Sequence, residues 1–449
     1  MNITRENVDE LNATLKVEVA KEDYFAKVDK QLKELQRKMS LPGFRPGHVP
    51  QGMVKKMYGK SVVLEEVNKT AYDSIEKYLK ENNIEILGSP LPNVEKTKPI
   101  DLENESDYEF YFDLGIKPKV NIDFSKIEVQ QYKIIIDENV ISKQIERYSK
   151  TYSERTNPEI SESNDVLSGE FVELNEEGSI KENGIKNITS VAINKINGES
   201  RNKFIGIKKG DIVKVKPSEA FENTTDLAYM LKIKKEEVEN LKSDFQFTVN
   251  EIIRFVPAEV NQDLFNKVFG EGIVNTDEEF KTKVTEKLEE SFEVDTAQKF
   301  MHDTIDELIE KTDLILPDVF LKRYIMESNE KVTQDIIEKE YEKYSRSLKW
   351  QIIESYIAKE NNIEIKKEEI EDYIKKYIEK QWSYIKKEAT PEETAKVVQS
   401  VMSDKKQVEK IYEELFDGKL KVFFKEKVKS EIKEISYDDY IKLLTEHLH

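Results

Sequence analysis

No cysteine occurs among the 449 residues, which excludes disulfides, thiol catalysis and thiolate metal sites. Histidine is scarce as well: His48, His302, His447 and His449 are the only four. None of them stands with acids at metal-ligand spacing, so no metal and no cofactor is expected. No apolar run approaches the roughly 20 residues that cross a bilayer. Met1 to Ala20 show no basic start followed by an apolar core, so no signal peptide is expected. The expected address is the cytoplasm, with no membrane partner. A complete phosphate-binding loop ending in Lys-Ser or Lys-Thr is missing, so ATP is not expected either.

What is present points to a folded chain with a heavily solvated surface. Hydrophobic residues make up 38% and charged residues 36%, and 20 Phe with 20 Tyr are far more aromatics than a disordered chain keeps. Such a length calls for about three domains. The net charge of -19 argues against nucleic acid binding over the whole surface. A local basic patch stays compatible with it, because repulsion is screened within about 10 Å at ordinary salt.

Glycine and proline divide the chain. Gly43, Gly47, Gly52 and Gly59 crowd one region, and six glycines fall from Gly169 to Gly210. After Pro257 only Gly270, Gly272, Gly418, Pro317 and Pro391 remain, so the last part should be long helices. Near the start, Leu11, Ala13, Leu15, Val17 and Val19 alternate as in a half-buried strand. Phe25, Val28, Leu32, Leu35 and Met39 then recur at helical spacing, and Leu41-Pro42-Gly43 stops that helix. A second helix is expected over about 61–82, burying Leu64, Val67, Ala71, Ile75 and Tyr78, and a strand over about 108–114. Further on, short runs at 169–174, 188–193, 211–215 and 245–255 are separated by turn signals such as Asn197-Gly198, with one inserted helix near 232–242. Pro317 is expected in the first turn of a new helix. The expected class is α+β multidomain: an α/β head over 1–115, a connector over 116–156, a small antiparallel β domain over 157–256 and a helical part over 257–449.

Leu41-Pro42-Gly43-Phe44-Arg45-Pro46-Gly47-His48-Val49-Pro50 is the sharpest signal. Its glycines and prolines fix a tight loop that presents Phe44 and Arg45. From Lys30 to Lys60 there are eight basic residues, among them Arg37, Lys38, Lys55 and Lys56, against the single acid Glu34. A plain turn with solvated lysines would also account for this composition. The loop, however, resembles the ribosome-docking signature of trigger factor, Gly-Phe-Arg-x-Gly-Lys-x-Pro. It matches at Gly43, Phe44, Arg45, Gly47 and Pro50 and departs at His48, where the family usually has lysine. An imidazole is largely neutral at pH 7, so weaker contact with rRNA or an acidic ribosomal protein is expected there. The segment from Trp350 to Ala358, with Ile363-Glu364-Ile365 after it, resembles a helix junction of the same family.

The resemblance implies a ribosome-binding head, a middle domain like the FKBP-type prolyl isomerases, and a helical C-terminal cradle. Site residues carried over are Gly43, Phe44, Arg45, Pro46, Gly47 and His48, supported by Arg37, Lys38, Lys55 and Lys56. Phe204 to Asp211 and Phe245 to Ile252 resemble the family's middle domain. Isomerase catalysis needs only an apolar pocket that favours the twisted amide. Phe171, Phe204, Phe221 and Phe245 are its candidates here. Yet the interval from Asn197 to Phe204 is too short for the family's full pocket helix, and Lys216-Pro217 replaces the usual Phe-Pro, so isomerase activity is expected to be weak or absent. No catalytic residue is assigned.

By resemblance the implied partners are the large ribosomal subunit near the exit tunnel and unfolded nascent chains, held without ATP, with a homodimer as a further implied state. Two other readings stand beside it: a free holdase or assembly factor, and an active prolyl isomerase.

Overall fold

Leu15, Val17 and Val19 are fully buried while Lys16 and Glu18 between them are only half-buried, so the second half of β2 (Asn12–Val19) shows the alternation its sequence carries, with Thr14 buried as well. It lies between β1 (Asn2–Asn7) and, further along the chain, β4 (Tyr108–Ile116), which also pairs with β3 (Ile86–Pro92). The sheet is antiparallel throughout, in the order β1-β2-β4-β3. Helices α1 (Lys21–Lys38) and α2 (Gln51–Glu81) share a core with it, in which Tyr24, Val28 and Leu32 of α1 meet Val54, Val67, Ala71 and Ile75 of α2. The apolar stripe of α1 thus begins at Tyr24. Phe25 is 42% exposed, because it stands about 100° round the helix from Tyr24, at the edge of the face that Tyr24, Val28 and Leu32 bury. Leu64 likewise faces outward on α2, which starts at Gln51, ten residues earlier than its apolar pattern, with Pro50 as its cap. The computed structural model describes residues 1–97, 106–384 and 390–446; His447 and His449 lie outside the described residues.

The chain divides into two compact units. One comprises 1–131 with 297–432, and the other 132–296 with 433–449. After β5 (Glu128–Ile135), the second unit holds α3 (Glu138–Thr151), β6 (Glu154–Thr156), β7 (Val166–Glu173), β8 (Lys186–Ala192), α4 (Gly198–Asn202) and β9 (Ile212–Val215). It continues with α5 (Pro217–Ala220), α6 (Thr224–Leu231), α7 (Lys235–Val238), β10 (Phe245–Val256) and α8 (Gln262–Phe269). Strand β10 is the spine of a small antiparallel sheet in the order β6-β10-β7-β8, with β9 also on β10. In place of one helix near 232–242 stand two short ones, α6 and α7. Lys232 adopts φ of 58°, a left-handed cap that ends α6. A separate core joins Leu264 and Phe265 of α8 to Phe280, Val284, Leu288 and Phe292, with rings of Phe265 and Phe280 stacked at 4.4 Å.

Those last residues open α9 (Asp277–Lys311), whose later turns belong to the first unit. There follow α10 (Asp318–Ser328), α11 (Gln334–Glu360), α12 (Lys367–Tyr384), α13 (Pro391–Ser403) and α14 (Lys405–Lys427). Pro317 caps α10 from outside and is not in its first turn. After α14 come β11 (Lys429–Ser436), which pairs with β5, and α15 (Tyr437–Glu446). Within the first unit, α10 lays the Phe320 and Tyr324 rings on the sheet at two glycines, where no Cβ would fit. A Cβ on Gly115 would stand 2.4 Å from the Phe320 ring, and one on Gly88 (φ 74°) 2.9 Å from Tyr324. Arg323 clasps the same contact, donating to Asp113 at 2.7 Å and to the Pro92 carbonyl at 2.5 Å.

Candidate functional site

Met39 ends α1 by leaving helical geometry, and its carbonyl accepts a hydrogen bond from the Gly47 N–H at 2.9 Å. That bond folds the loop back onto the helix end. Two tight turns follow: Phe44 N–H donates to the Leu41 carbonyl at 3.1 Å, and His48 N–H to the Arg45 carbonyl at 2.9 Å. Gly43 and Gly47 have φ of 89° and 78°, a region in which only glycine is at ease. Gly47 is further constrained, since a Cβ there would lie 3.1 Å from the Arg37 carbonyl oxygen. Val49, fully buried, anchors the exit of the loop, and Gln36 Nε2 donates to its carbonyl at 2.6 Å. The loop is therefore pinned at both ends and presents its middle.

Phe44 at its tip is 37% exposed, an unusual cost for a phenylalanine in water. Arg45, Pro46 and His48 are exposed beside it. Arg37 and Lys38 stand on the last turn of α1, and Lys55 and Lys56 on the second turn of α2, all exposed. The α1–loop–α2 hairpin thus gathers the ten loop and patch residues singled out in the sequence. Lys33 is partly neutralised by Asp29, at 2.5 Å. Sequence reasoning missed an apolar component: Met53 (42% exposed), Met57 (51%) and Tyr58 (38%) lie on the outward side of α2. Their signal was available, because Met53 and Met57 are one helical turn apart and off the stripe of Val54, Val62 and Val67.

In the other unit, Phe171, Phe204, Phe221 and Phe245 are brought together as the sequence proposed. Phe247 lies among them, and none of the five is more than 6% exposed. Phe171 contacts Phe247 at 4.7 Å, Phe245 at 6.2 Å and Phe221 at 6.5 Å between ring centres, and Phe204 contacts Phe247 at 5.8 Å. The rings occupy one another's space as a packed core does. Gly169 lets Phe247 enter, for a Cβ there would be 2.4 Å from that ring. Helix α4, between Asn197 and Phe204, is a five-residue turn. Lys216 is paired at 2.7 Å with Glu219, which holds its pKa above the ordinary lysine value, and its side chain stays 37% exposed. The unit does have an open hollow of about 940 Å³, but elsewhere, between β8 and the α6–α7 segment, with Tyr229 and Ile188 at its edge.

Among the described residues, no group of three His, Cys, Asp or Glu side chains is placed to hold a metal ion. Among them too, no helix is long and apolar enough to cross a membrane.

Comparison with known proteins places the pieces in one family. Residues 1–148 match the family described as bacterial trigger factor protein. Residues 155–257 match the probable trigger factor FKBP-like domain, and residues 296–444 the probable trigger factor C-terminal domain. The trigger factor of Hahella chejuensis is 24% identical over 98% of this chain and 96% of its own length. That of Pelagibacter ubique is 22% identical over 100% of this chain and 90% of its own. A solved structure of the trigger factor chaperone is similar over 95% of this chain and 100% of that one, at 18% identity and a TM-score of 0.48.

Proposed function

We propose, from the premise that this chain belongs to the trigger factor family, that it is an ATP-independent chaperone docking beside the ribosomal exit tunnel. The observation that carries this reading is the pinned loop over 41–50. It holds Phe44 and Arg45 outward in a basic setting, on a chain whose net charge is -19. An exposed phenylalanine beside a guanidinium suits a partner with an apolar pocket and acidic or phosphate groups around it. Met53, Met57 and Tyr58 widen the apolar part of that contact. Large ribosomal subunits offer both kinds of surface, in protein and rRNA. The cytoplasm is the address that goes with this partner.

The helices of 257–446 then shield apolar segments of nascent chains, which would otherwise aggregate. Weak, distributed contacts let such segments go without nucleotide hydrolysis. Self-association through an unoccupied client surface is part of the same reading, and a homodimer is its simplest form. His48 in place of the usual lysine favours a second reading, a holdase that works largely off the ribosome. In the middle domain, the packing of Phe171, Phe204, Phe221 and Phe245 into one core supports weak or absent prolyl isomerase activity. A prolyl-peptide assay at the level of ordinary FKBP-type enzymes would overturn that part.

The lack of cysteine supplies a clean test of docking. A dye on the single thiol of a Ser40→Cys variant sits at the loop's entrance. Its emission should shift on addition of vacant ribosomes and return when unlabelled protein competes. An unchanged emission across micromolar ribosome concentrations would move the assignment to the free holdase.

A further inference from the structure

Eight methionines hold all the sulfur of this chain, since it has no cysteine. Their exposure is uneven. Met230 and Met301 are buried, and Met39, Met326 and Met402 are half-buried. The exposed ones are Met1 at 55%, Met53 at 42% and Met57 at 51%. Met53 and Met57 stand one turn apart at the start of α2, directly after the 41–50 loop, while Val54 and Val62 turn to the core. Lys55 and Lys56 lie between them in the chain and are exposed as well. Met1 differs in two respects. Its sulfur accepts a hydrogen bond from the Ser74 hydroxyl at 2.7 Å. Ser74 lies roughly 25 Å beyond Met57 along α2, by the rise of the helix.

A thioether is a soft nucleophile, and exposure decides which thioethers an oxidant reaches. With hydrogen peroxide, a sulfur lone pair bonds to one oxygen, the O–O bond breaks and water leaves. Sulfur gives up two electrons and the peroxide takes them. The resulting sulfoxide is polar and chiral where the thioether was flexible and apolar. In a core that change disrupts packing. At Met53 and Met57 it spares the contacts of Val54 and Val62 and alters what the hairpin presents to a partner. We propose that Met53 and Met57 are a reversible oxidation site, at which peroxide weakens docking of the α1–loop–α2 hairpin. With no thiol in the chain to compete, these exposed thioethers are among the first groups such an oxidant meets. The inference rests on the docking reading and adds a means of regulating that same surface.

The full chain is treated with hydrogen peroxide, freed of the oxidant and mapped by fragmentation mass spectrometry. Met53 and Met57 should each gain one oxygen about tenfold faster than Met230 and Met301. The same preparation is then titrated with vacant ribosomes. Its affinity should be about fivefold weaker than that of untreated protein, with the thermal midpoint unchanged, and methionine sulfoxide reductase should restore it. In Met53→Leu/Met57→Leu, whatever its own starting affinity, peroxide should cause no change. Oxidation of the pair no faster than of the buried methionines overturns the inference. So does an equal loss of affinity in the leucine variant, which would trace it to other residues, or a lowered thermal midpoint, which would trace it to unfolding. Ribosome binding that oxidation leaves unmoved overturns the inference alone. If the untreated chain does not bind ribosomes, the docking reading falls and the inference falls with it.

Discussion

Asp165, immediately before β7, is 1% exposed, and its carboxylate receives two hydrogen bonds of 2.8 Å from Arg254 on β10. Burial pushes its carboxyl up. Arg254 and the Glu162 N–H outweigh burial and leave it below the ordinary value. A carboxyl lowered by folding adds stability above its unfolded pKa, near 3.9, and that stability fades as pH falls through the lower folded value. Asp165→Asn should therefore cost roughly 2–4 kcal/mol at pH 7 and far less in strong acid, read as urea midpoints at the two pH values. None of this was legible in the sequence, where Asp165 is one acid among 90 Asp and Glu residues, and its partner lies 89 positions away. Phe44 and Arg45 were legible because glycine and proline flank them and constrain the backbone locally. His48 is the residue that sets the strength of docking in this account. His48→Lys should tighten ribosome binding at pH 7 by a few-fold, or about 0.5–1 kcal/mol, as equilibrium binding would show; no gain would sever the link between that position and affinity.

Between α1 and α2 the loop depends on two left-handed glycines that are not equivalent. Gly43→Ala meets no atom within 4 Å and carries backbone strain alone, about 1 kcal/mol. Gly47→Ala adds a 3.1 Å approach to the Arg37 carbonyl, so it should cost more and weaken ribosome binding more. Thermal unfolding and ribosome titration of both variants check that order. Where α10 lies on the sheet, Gly115→Ala would drive a methyl into Phe320 and should destabilise the first unit by about 1–3 kcal/mol. A denaturation midpoint unmoved by this change would show that the sheet and α10 do not pack as described. At this scale the sequence shows elements with a strong period and conceals the rest. Strand β2 and the stripe over Phe280 to Phe292 were readable from alternation or helical recurrence. Strands β1 and β3 were not, since β1 is polar and β3 holds Gly88, Pro90 and Pro92. The first turns of α2 escaped because Met53, Lys55 and Lys56 face water and give no buried stripe.

Over the whole molecule, the antiparallel head sheet, the small β domain and the long helices follow the expected α+β class. The assignment of 297–432 to the same compact unit as 1–131 was beyond sequence reading, because the Gly115–Phe320 and Asp113–Arg323 contacts join positions some 200 residues apart. Charge is the other property of this scale. A basic hairpin on a chain of -19 makes encounter with an anionic partner depend on orientation and on salt. The central claim is docking through the 41–50 loop, and co-sedimentation with vacant ribosomes at two salt concentrations tests it most directly. The unaltered chain should pellet at low salt and less at high salt. The Phe44→Ala/Arg45→Ala variant should lose about 2–4 kcal/mol of binding and stay in the supernatant. Equal pelleting of both proteins, or salt-independent pelleting of either, would contradict the account.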